Sequence, residues 1–269
     1  MKYPIASKYI NKMRDYTGYI REINAYFKLL INTKRDPLTK FVITTTGRTG
    51  SNLLVELLNS HPKICCESEL LVKKVFFPMR YLYASEKLSS HAVYGFKLNT
   101  YNFGVQRIEE PVKFVRTLYD HGYKFISLKR RDIIRQAISR ILAIRRGKYH
   151  FRKQDPLDMQ MLSVNISPDC LKEELDFFRH QRELEESMLD GIYHLTLYYE
   201  DHLSNADEHQ LTLNQTCHHL GVSTASVSSD LIKTTPEDLS SVIENYSELI
   251  KSLKFLGHLD PLDFREYGL

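Results

Sequence analysis

The chain has 269 residues, 42% of them hydrophobic, which is enough for one α/β domain with a large core. Its net charge of +4 suits an anionic ligand but is too small for a protein dedicated to coating nucleic acid. No apolar run approaches the roughly 20 residues of a membrane span, and the N-terminal stretch MKYPIASKYINKMRDY lacks the apolar core of a secretory signal. Four cysteines without a Cys-x-x-Cys pair indicate reduced thiols in a cytoplasm and no metal site.

The first predicted elements are a helix, a strand and a second helix. Residues 8–33 predict an amphipathic helix interrupted near Gly18, and we expect a helical extension, 1–38, that packs on an α/β domain, 39–269. Phe41–Thr45 is apolar or β-branched and predicts a buried strand. The leucines of the following SNLLVELL lie on one face of a helix.

Strands and helices continue to alternate along the rest of the chain. Strands are predicted over Val93–Leu98, Lys124–Lys129 and Tyr193–Tyr199, and a loop is predicted over 61–72. Helices are predicted over Glu110–His121, Asp132–Arg146, Ser167–Leu189, Leu211–Leu220 and Glu237–Leu253. The alternation predicts an α/β fold with a mostly parallel central sheet flanked by helices on both faces. The ligand of such a sheet is expected at the carboxyl ends of its strands.

A glycine turn separates the first strand from its helix, in the stretch TTTGRTGSNLLVELLNSHP. The segment 47–51, GRTGS, lies where free backbone N–H groups and the helix dipole favour an anion. It does not match a Walker nucleotide loop, because only two residues separate the glycines and the lysine is missing. Arg48, the hydroxyls of Thr49 and Ser51, and the amide of Asn52 could supply the donors instead. A plain strand-to-helix turn is the alternative.

A second basic loop, Lys129-Arg130-Arg131-Asp132, follows the strand over Lys124–Lys129. Ser139 comes eight residues after Arg131, about two turns into the next helix. By itself the segment RRDIIRQAISRILAIRR would be a solvated helix face. Two anion-binding loops after neighbouring strands suggest a ligand with two separated phosphate-like groups.

These two segments resemble motifs of the PAPS-dependent sulfotransferases, most closely the bacterial type that includes nodulation-factor and trehalose-modifying enzymes. The glycine turn is similar to the 5′-phosphosulfate loop of that family, and ISLKRRDIIRQAIS is similar to its 3′-phosphate motif. The segments VYGFKLN, LTLYYEDHL and VIENYSELIKSL extend the resemblance over about Phe41 to Leu253. The resemblance implies a single P-loop-like domain and PAPS (3′-phosphoadenosine 5′-phosphosulfate) as sulfuryl donor. The donor would leave as adenosine 3′,5′-bisphosphate, and no metal would be needed.

The resemblance also assigns roles to individual residues. The expected donor-binding residues are Thr46, Gly47, Arg48, Thr49, Gly50, Ser51, Asn52, Arg131, Ser139, Tyr199 (beside the adenine) and Lys233. Arg48 would also neutralise charge on the leaving oxygen, and Lys97 would reach the sulfuryl group unless it is a surface lysine at a strand end. Glu69 matches the family's glutamate general base by its distance from the His-Pro pair. Glu67 and His61 are the alternative bases.

Two other functions fit parts of the sequence. An ATP-dependent small-molecule kinase would require a Walker lysine and magnesium ligands, and the sequence shows neither. A non-catalytic nucleic-acid-binding module would use Arg130–Lys148, but only Tyr149 and Phe151 border that run as stacking residues, so no nucleic-acid partner is expected. The expected acceptor is a small molecule, such as a secondary metabolite or a carbohydrate, that is sulfated on oxygen or nitrogen in an aromatic pocket. The candidate wall residues are Phe76, Phe77, Tyr81, Tyr83, Tyr101, Phe103, Tyr149 and Phe151.

Overall fold

A computed structural model describes residues 16–31, 36–149, 151–152, 163–226, 229, 231–232, 236 and 238–255 of the chain. The chain divides into two compact units. The sheet unit comprises Met1–Lys129 and Gln181–Ser229, and the helical unit comprises Arg130–His180 and Asp230–Leu269. The domain boundary that the sequence predicts near residue 38 stays a prediction.

Seven strands occur in the described residues, and five of them form a parallel sheet in the sheet unit. The strands are β1 (Thr39–Thr45), β2 (Ile64–Glu69), β3 (Val93–Asn99), β4 (Tyr123–Lys129), β5 (Phe151–Arg152), β6 (His194–Tyr198) and β7 (Leu231–Ile232). The order across the sheet is β2-β3-β1-β4-β6, and every neighbouring pair in it is parallel. The strands that follow β1 in sequence, β2 and β3, lie on one side of it, and β4 and β6 lie on the other side. The order therefore reverses beside β1, which is where sheets of this kind bind ligands, outside the carboxyl ends of the strands.

Helices follow most of these strands. They are α1 (Thr17–Ile31), α2 (Ser51–Asn59), α3 (Pro78–Leu88), α4 (Asn102–Gln106), α5 (Pro111–Asp120), α6 (Ile133–Arg146), α7 (Pro168–Leu189), α8 (Tyr199–His202), α9 (His209–Leu220) and α10 (Tyr246–Phe255). Proline stands in the first turn of both α3 and α5, where its missing N–H breaks no helical hydrogen bond. None of the helices among the described residues is long and apolar enough to span a membrane.

The core of the sheet unit lies on both faces of the sheet. Successive residues of β1 point to opposite faces, so Val42 belongs to one buried cluster, and Phe41 and Ile43 belong to another. Leu54 of α2 packs into the second cluster, and Val115 of α5 packs into the first. The predicted α/β class, with a parallel sheet covered by helices on both faces, is thus confirmed.

The helical unit has its own apolar core, formed by α6, α10 and the part of α7 that precedes Gln181. Within it, the buried Glu174 carboxylate lies 2.6 Å from a guanidinium nitrogen of Arg140, and the Arg140 guanidinium lies 4.0 Å from the ring centroid of Phe177. Strands β5 and β7 of this unit pair antiparallel. The partly buried guanidinium is thus both ion-paired and stacked, which compensates for its desolvation.

Two predicted elements differ from the structure. Residues 61–72 were expected to form a loop, but they contain β2, followed by a 3₁₀ turn over Leu70–Val72. The helix expected over Glu237–Leu253 begins only at Tyr246, because a 3₁₀ turn capped by Asp238 comes before it. The helix expected over residues 8–33 is observed as α1, and residues 8–15 lie outside the described part of the chain.

Candidate active site

The glycine turn after β1 has an unusual backbone. Gly47, Arg48 and Gly50 all have positive φ, at 87°, 57° and 78°. Such angles cost a non-glycine residue about 1–2 kcal/mol, so the conformation of Arg48 must be enforced by its surroundings. Part of that support comes from the hydroxyl–hydroxyl hydrogen bond of 2.6 Å between Thr45 and Thr49, and from Gly47 N, which donates to Thr45 Oγ1 at 3.2 Å. The turn is therefore held in one shape by its own side chains.

The turn leads directly into the N-terminus of α2. Gly50 is the N-cap residue and, as a glycine, has no side chain that could cap the first turn of this helix. The amide groups at an uncapped helix N-terminus carry partial positive charge and can donate to an anion. The turn and the helix terminus lie together at the carboxyl end of the central strand, and their role as an anion site stays a prediction.

Tyr199 packs against this turn. A Cβ atom at Gly50 would lie 2.7 Å from Cδ2 of the Tyr199 ring and 3.3 Å from Cδ1 of Leu203. Only glycine fits there, because both the positive φ and the close approach exclude a side chain. Tyr199 is the first residue of α8, so the predicted nucleotide residue does lie beside the predicted phosphosulfate loop. Its contact with adenine stays a prediction.

Next to the turn, Lys97 of β3 forms a buried ion pair with Glu69 of β2. The side chain of Lys97 is 2% exposed, and its Nζ lies 2.9 Å from Glu69 Oε1. Lys97 Nζ also donates to Oδ1 of Asn52 in the first turn of α2. The alternative that Lys97 is a surface lysine is therefore wrong. The ammonium connects the predicted base to the helix that follows the glycine turn.

A register shift in the sheet creates the pair. In the β2–β3 ladder, Glu67 is opposite Phe96 and Glu69 is opposite Lys97, so β2 has one extra residue at this point. The shift separates the two glutamates that the sequence leaves as rival bases. Glu67 is exposed, whereas Glu69 is partly buried beside Lys97.

Tyr101 is a second partner of Glu69. Its hydroxyl donates to Glu69 Oε2 at 3.0 Å, and its ring lies 3.4 Å from where a Cβ of Gly47 would be. Burial by itself raises the pKa of Glu69, but the charge of Lys97 and the hydrogen bonds from Lys97, Tyr101 and Asn99 outweigh that effect, and the pKa of Glu69 is lowered overall. Glu69 is therefore ionised at neutral pH and can accept a proton.

Two buried polar groups that follow β3 have no hydrogen-bond partner among the described residues: Thr100 Oγ1 and Asn102 Nδ2. The backbone here is fixed, because Thr100 N donates to Thr45 O at 3.0 Å and Asn99 N donates to Asn102 Oδ1 at 2.9 Å. The side-chain oxygen of Asn99 lies 3.8 Å from the Cβ position of Gly47. Unpaired buried donors are costly and often mark a ligand site. Sequence reasoning missed these residues, because no motif distinguishes them.

The remaining candidate base, His61, is already engaged. It is 2% exposed, and its Nε2 donates to the carbonyl oxygen of Ser223 at 2.8 Å. Its Nδ1 accepts from Lys63 N at 3.1 Å. Both ring nitrogens are occupied, so His61 is not available to take a proton from an acceptor.

The predicted 3′-phosphate residues lie in the helical unit. Arg131 is exposed just before α6, whose N-cap Asp132 accepts a hydrogen bond from Arg135 N at 2.7 Å. Ser139 is buried within α6, with 3% of its surface exposed. That Arg131 and Ser139 share one anion stays a prediction. Lys233 lies outside the described residues.

The predicted aromatic walls are only partly supported. Tyr81 and Phe103 are core residues, 4% and 2% exposed, so their assignment to the pocket wall is wrong. The ring of Phe76 stacks on Tyr19 of α1 at 4.3 Å between centroids. Tyr101 does contact the site, through Glu69. No group of three or more His, Cys, Asp or Glu side chains among the described residues is arranged to hold a metal ion.

No protein-family model and no curated protein sequence matches this chain. Among solved structures, similarity is found to a sulfotransferase from Alicyclobacillus acidocaldarius, with 16% identity over 86% of this chain and 99% of that chain and a TM-score of 0.49. Mouse sulfotransferase SULT7A1 complexed with PAP is 11% identical over 80% of this chain and 64% of that chain, with a TM-score of 0.43. The sulfotransferase domain of the Synechococcus PCC 7002 olefin synthase is 14% identical over 85% and 93%, with a TM-score of 0.38. All three TM-scores lie below 0.5, and the function proposed below therefore depends on the site's own residues.

Proposed function

We propose that this protein is a sulfotransferase that moves a sulfuryl group from PAPS to a hydroxyl or nitrogen of a small molecule, such as a secondary metabolite or a carbohydrate. The observation that carries this proposal is the ion pair of Lys97 and Glu69 beside a glycine turn and a helix N-terminus on a parallel sheet. The pair supplies a cation and a carboxylate at one point, next to the glycine turn and the N-terminus of α2. Transfer of an anionic group from an anionic donor requires both.

The residues present fit the phosphosulfate end of the donor. The positive φ angles at Gly47, Arg48 and Gly50 shape a turn of the kind whose N–H groups bind oxyanions. The unpartnered hydroxyl of Thr100 lies buried in the segment that is hydrogen-bonded to the start of the turn. Two cationic side chains, Arg48 in the turn and Lys97 beside it, take the place of the missing Walker lysine. The resemblance to the nodulation-factor and trehalose type stays a prediction.

The chain's own groups account for the transfer step. When bound, PAPS supplies a sulfuryl group on a phosphate leaving group. Glu69 takes the proton from the acceptor hydroxyl as the acceptor oxygen forms its new bond to sulfur. Lys97 stabilises the negative charge on the sulfuryl oxygens. Arg48 stabilises the bridging oxygen, which leaves with the electron pair of the broken S–O bond on the bisphosphate product.

The ion pair implies that the donor binds before Glu69 takes the proton. With Lys97 held by Glu69, the lowered pKa keeps the carboxylate ionised but makes it a weak base. Sulfuryl oxygens near Lys97 compete with Glu69 for the ammonium, and each contact that Glu69 loses raises its pKa. Glu69 thereby becomes a stronger base once the donor is present.

Calorimetry tests the nucleotide part of this proposal. Adenosine 3′,5′-bisphosphate should bind more tightly than AMP or ATP, and Arg131→Ala should lower bisphosphate affinity by about 1.5–3 kcal/mol, or roughly 10–150-fold, with little effect on AMP. The control is Arg145→Ala, because Arg145 is an exposed arginine in the last turn of α6, the helix that follows Arg131. Equal affinities for AMP and the bisphosphate would contradict the assignment of two phosphate loops.

Mass spectrometry tests the reaction. A panel of hydroxyl and amine acceptors incubated with PAPS should yield products heavier by one SO₃, and no product with any acceptor would contradict the proposed transfer.

We also propose the cytoplasm as the compartment, because all four cysteines are free thiols.

A further inference from the structure

Helix α1 has a buried inner side and an exposed apolar side opposite to it. The inner side contains Gly18, Glu22 and Ala25, which are buried in the sheet unit. The opposite side, here called the outer seam, repeats at alternating intervals of four and three residues. Its members are Tyr16, Ile20, Ile23, Phe27 and Leu30. This interval is the heptad spacing of a helix that packs along another helix.

The inner side holds α1 firmly in place. The Glu22 carboxylate accepts hydrogen bonds from the backbone N–H groups of Phe76 at 2.5 Å and Phe77 at 2.9 Å, just before α3. Gly18 lies so close to the chain that a Cβ atom there would be 2.2 Å from the carbonyl oxygen of Lys74. Glu22 also accepts from the Tyr26 hydroxyl at 2.7 Å. The outer seam is therefore presented on a fixed support.

The outer seam is exposed in the structure. Its five side chains are between 44% and 81% exposed, and Ile31 at the end of the helix is 81% exposed. Phe76, which stacks on Tyr19, and the neighbouring Phe77 add two aromatic rings that are 59% and 55% exposed. With about 150–250 Å² for a whole aromatic side chain and somewhat less for an aliphatic one, the patch amounts to roughly 800 Å² per chain. This area equals one partner's share of a standard stable interface and exceeds the usual apolar patch of a monomer.

We propose that the outer seam pairs with the outer seam of a second copy of this chain, so that the protein is a two-fold symmetric dimer joined through α1. A seam of this spacing is self-complementary, as a two-fold interface requires. The positions beside it are uncharged, being Thr17, Tyr19, Asn24 and Tyr26, so two copies meet without repulsion between like charges. In the sequence the same intervals continue upstream at Met13 and Tyr9, which lengthens the apolar repeat.

The test is the molecular mass of the full chain in solution. Sedimentation equilibrium or light scattering at micromolar concentration should give a dimer. The double variant Ile20→Glu/Phe27→Glu places two charges in the seam and should weaken dimerisation by roughly 100-fold or more, giving a monomer. Leu211→Glu is the matched control, because Leu211 is a similarly exposed leucine on α9 (54%), and it should leave the dimer intact.

Each result decides the proposal. Both seam positions are solvent-exposed within one chain, so the folded monomer should tolerate the charges, and circular dichroism checks this. If the glutamate variant does not fold, the milder variant Ile20→Ser/Phe27→Ser replaces it in the mass measurement. A wild-type monomer at about 100 µM would overturn the proposal, as would a seam variant that remains dimeric. Binding of wild-type monomer to vesicles of anionic lipid, lost in the seam variant, would assign the seam to a membrane surface instead and equally overturn it.

Discussion

Replacing Gly50 with Ala should destabilise the protein by roughly 2–5 kcal/mol. A left-handed φ of 78° costs an alanine about 1–2 kcal/mol. The new Cβ would also lie 2.7 Å from Tyr199 Cδ2, and overpacking of this kind typically costs about 1–3 kcal/mol. Either the Tyr199 ring or the turn must move. The variant should therefore also lose affinity for adenosine 3′,5′-bisphosphate.

Two other glycines separate these contributions. Gly122 has a φ of 82° and no atom within 4 Å of its Cβ position, so Gly122→Ala should cost only about 1–2 kcal/mol. Gly104 also has open space at its Cβ position and lacks a positive φ. Because Gly104 lies within helix α4, Gly104→Ala should be neutral or stabilising by up to about 1 kcal/mol.

Urea unfolding followed by circular dichroism measures the three variants, together with Gly50→Ala in a Tyr199→Ala background. In that background Gly50→Ala should lose the overpacking part of its cost and retain the backbone part, which gives a coupling of about 1–3 kcal/mol between the two positions. If Gly50→Ala is no more destabilising than Gly122→Ala, Tyr199 is not fixed against the turn. The placement of the nucleotide residue beside the loop would then be wrong.

Further predictions concern the reaction and the pH dependence of stability. Glu69→Gln should lower kcat by about 10²–10⁴ with a smaller effect on the KM for PAPS, whereas Glu67→Gln should be mild on the same hydroxyl acceptor; the reverse pattern would show the base to be misassigned. Tyr101→Phe removes a hydrogen bond that lowers the pKa of Glu69, so the acidic limb of the kcat/KM profile should move to higher pH, and an unmoved limb would contradict the pairing. The pKa of Glu69 is lower in the folded protein than in the unfolded chain. The stability that Glu69 contributes is therefore present above its unfolded pKa and is lost as pH falls through its folded pKa. Tyr101→Phe should shift this loss of stability to higher pH. EDTA should leave transfer unaffected, and activity that is abolished by EDTA and restored by magnesium would favour the kinase alternative.

Most of the sheet could be predicted because parallel strands are buried on both faces and therefore appear as apolar runs. β1, β3 and β4 are of this type, with most of their residues buried. β2 was missed because it is an edge strand that ends in Glu67, Ser68 and Glu69, which leaves too short an apolar run to recognise. The late start of α10 has a local cause, since the Asp238 carboxylate accepts a hydrogen bond from Ser240 N and favours a turn over a helix.

The parts of the site that sequence could predict are those within one continuous segment. The glycine turn combines a strand end, a turn and a helix start, and its residues can be recognised by their types alone. The contacts of Glu69 with Lys97 and Tyr101 depend on the register between β2 and β3, including a shift of one residue. A one-residue error of register would turn Glu69 to the other face of the sheet, and no sequence pattern specifies the shift.

The position of Lys97 explains why these contacts belong together. An ammonium with 2% exposure is costly to bury unless anionic or polar groups surround it, and Glu69 and Asn52 supply a carboxylate and a carbonyl oxygen. Both groups also have a place in the proposed reaction, Glu69 as the base and Asn52 in the first turn of the loop helix. Any anion that binds in the turn near Lys97 raises the pKa of Glu69, because the same ammonium cannot neutralise two anions as fully as one. Because Glu69 shares the buried Lys97 ammonium with an anion in the loop, the basicity of Glu69 depends on whether the loop holds an anion.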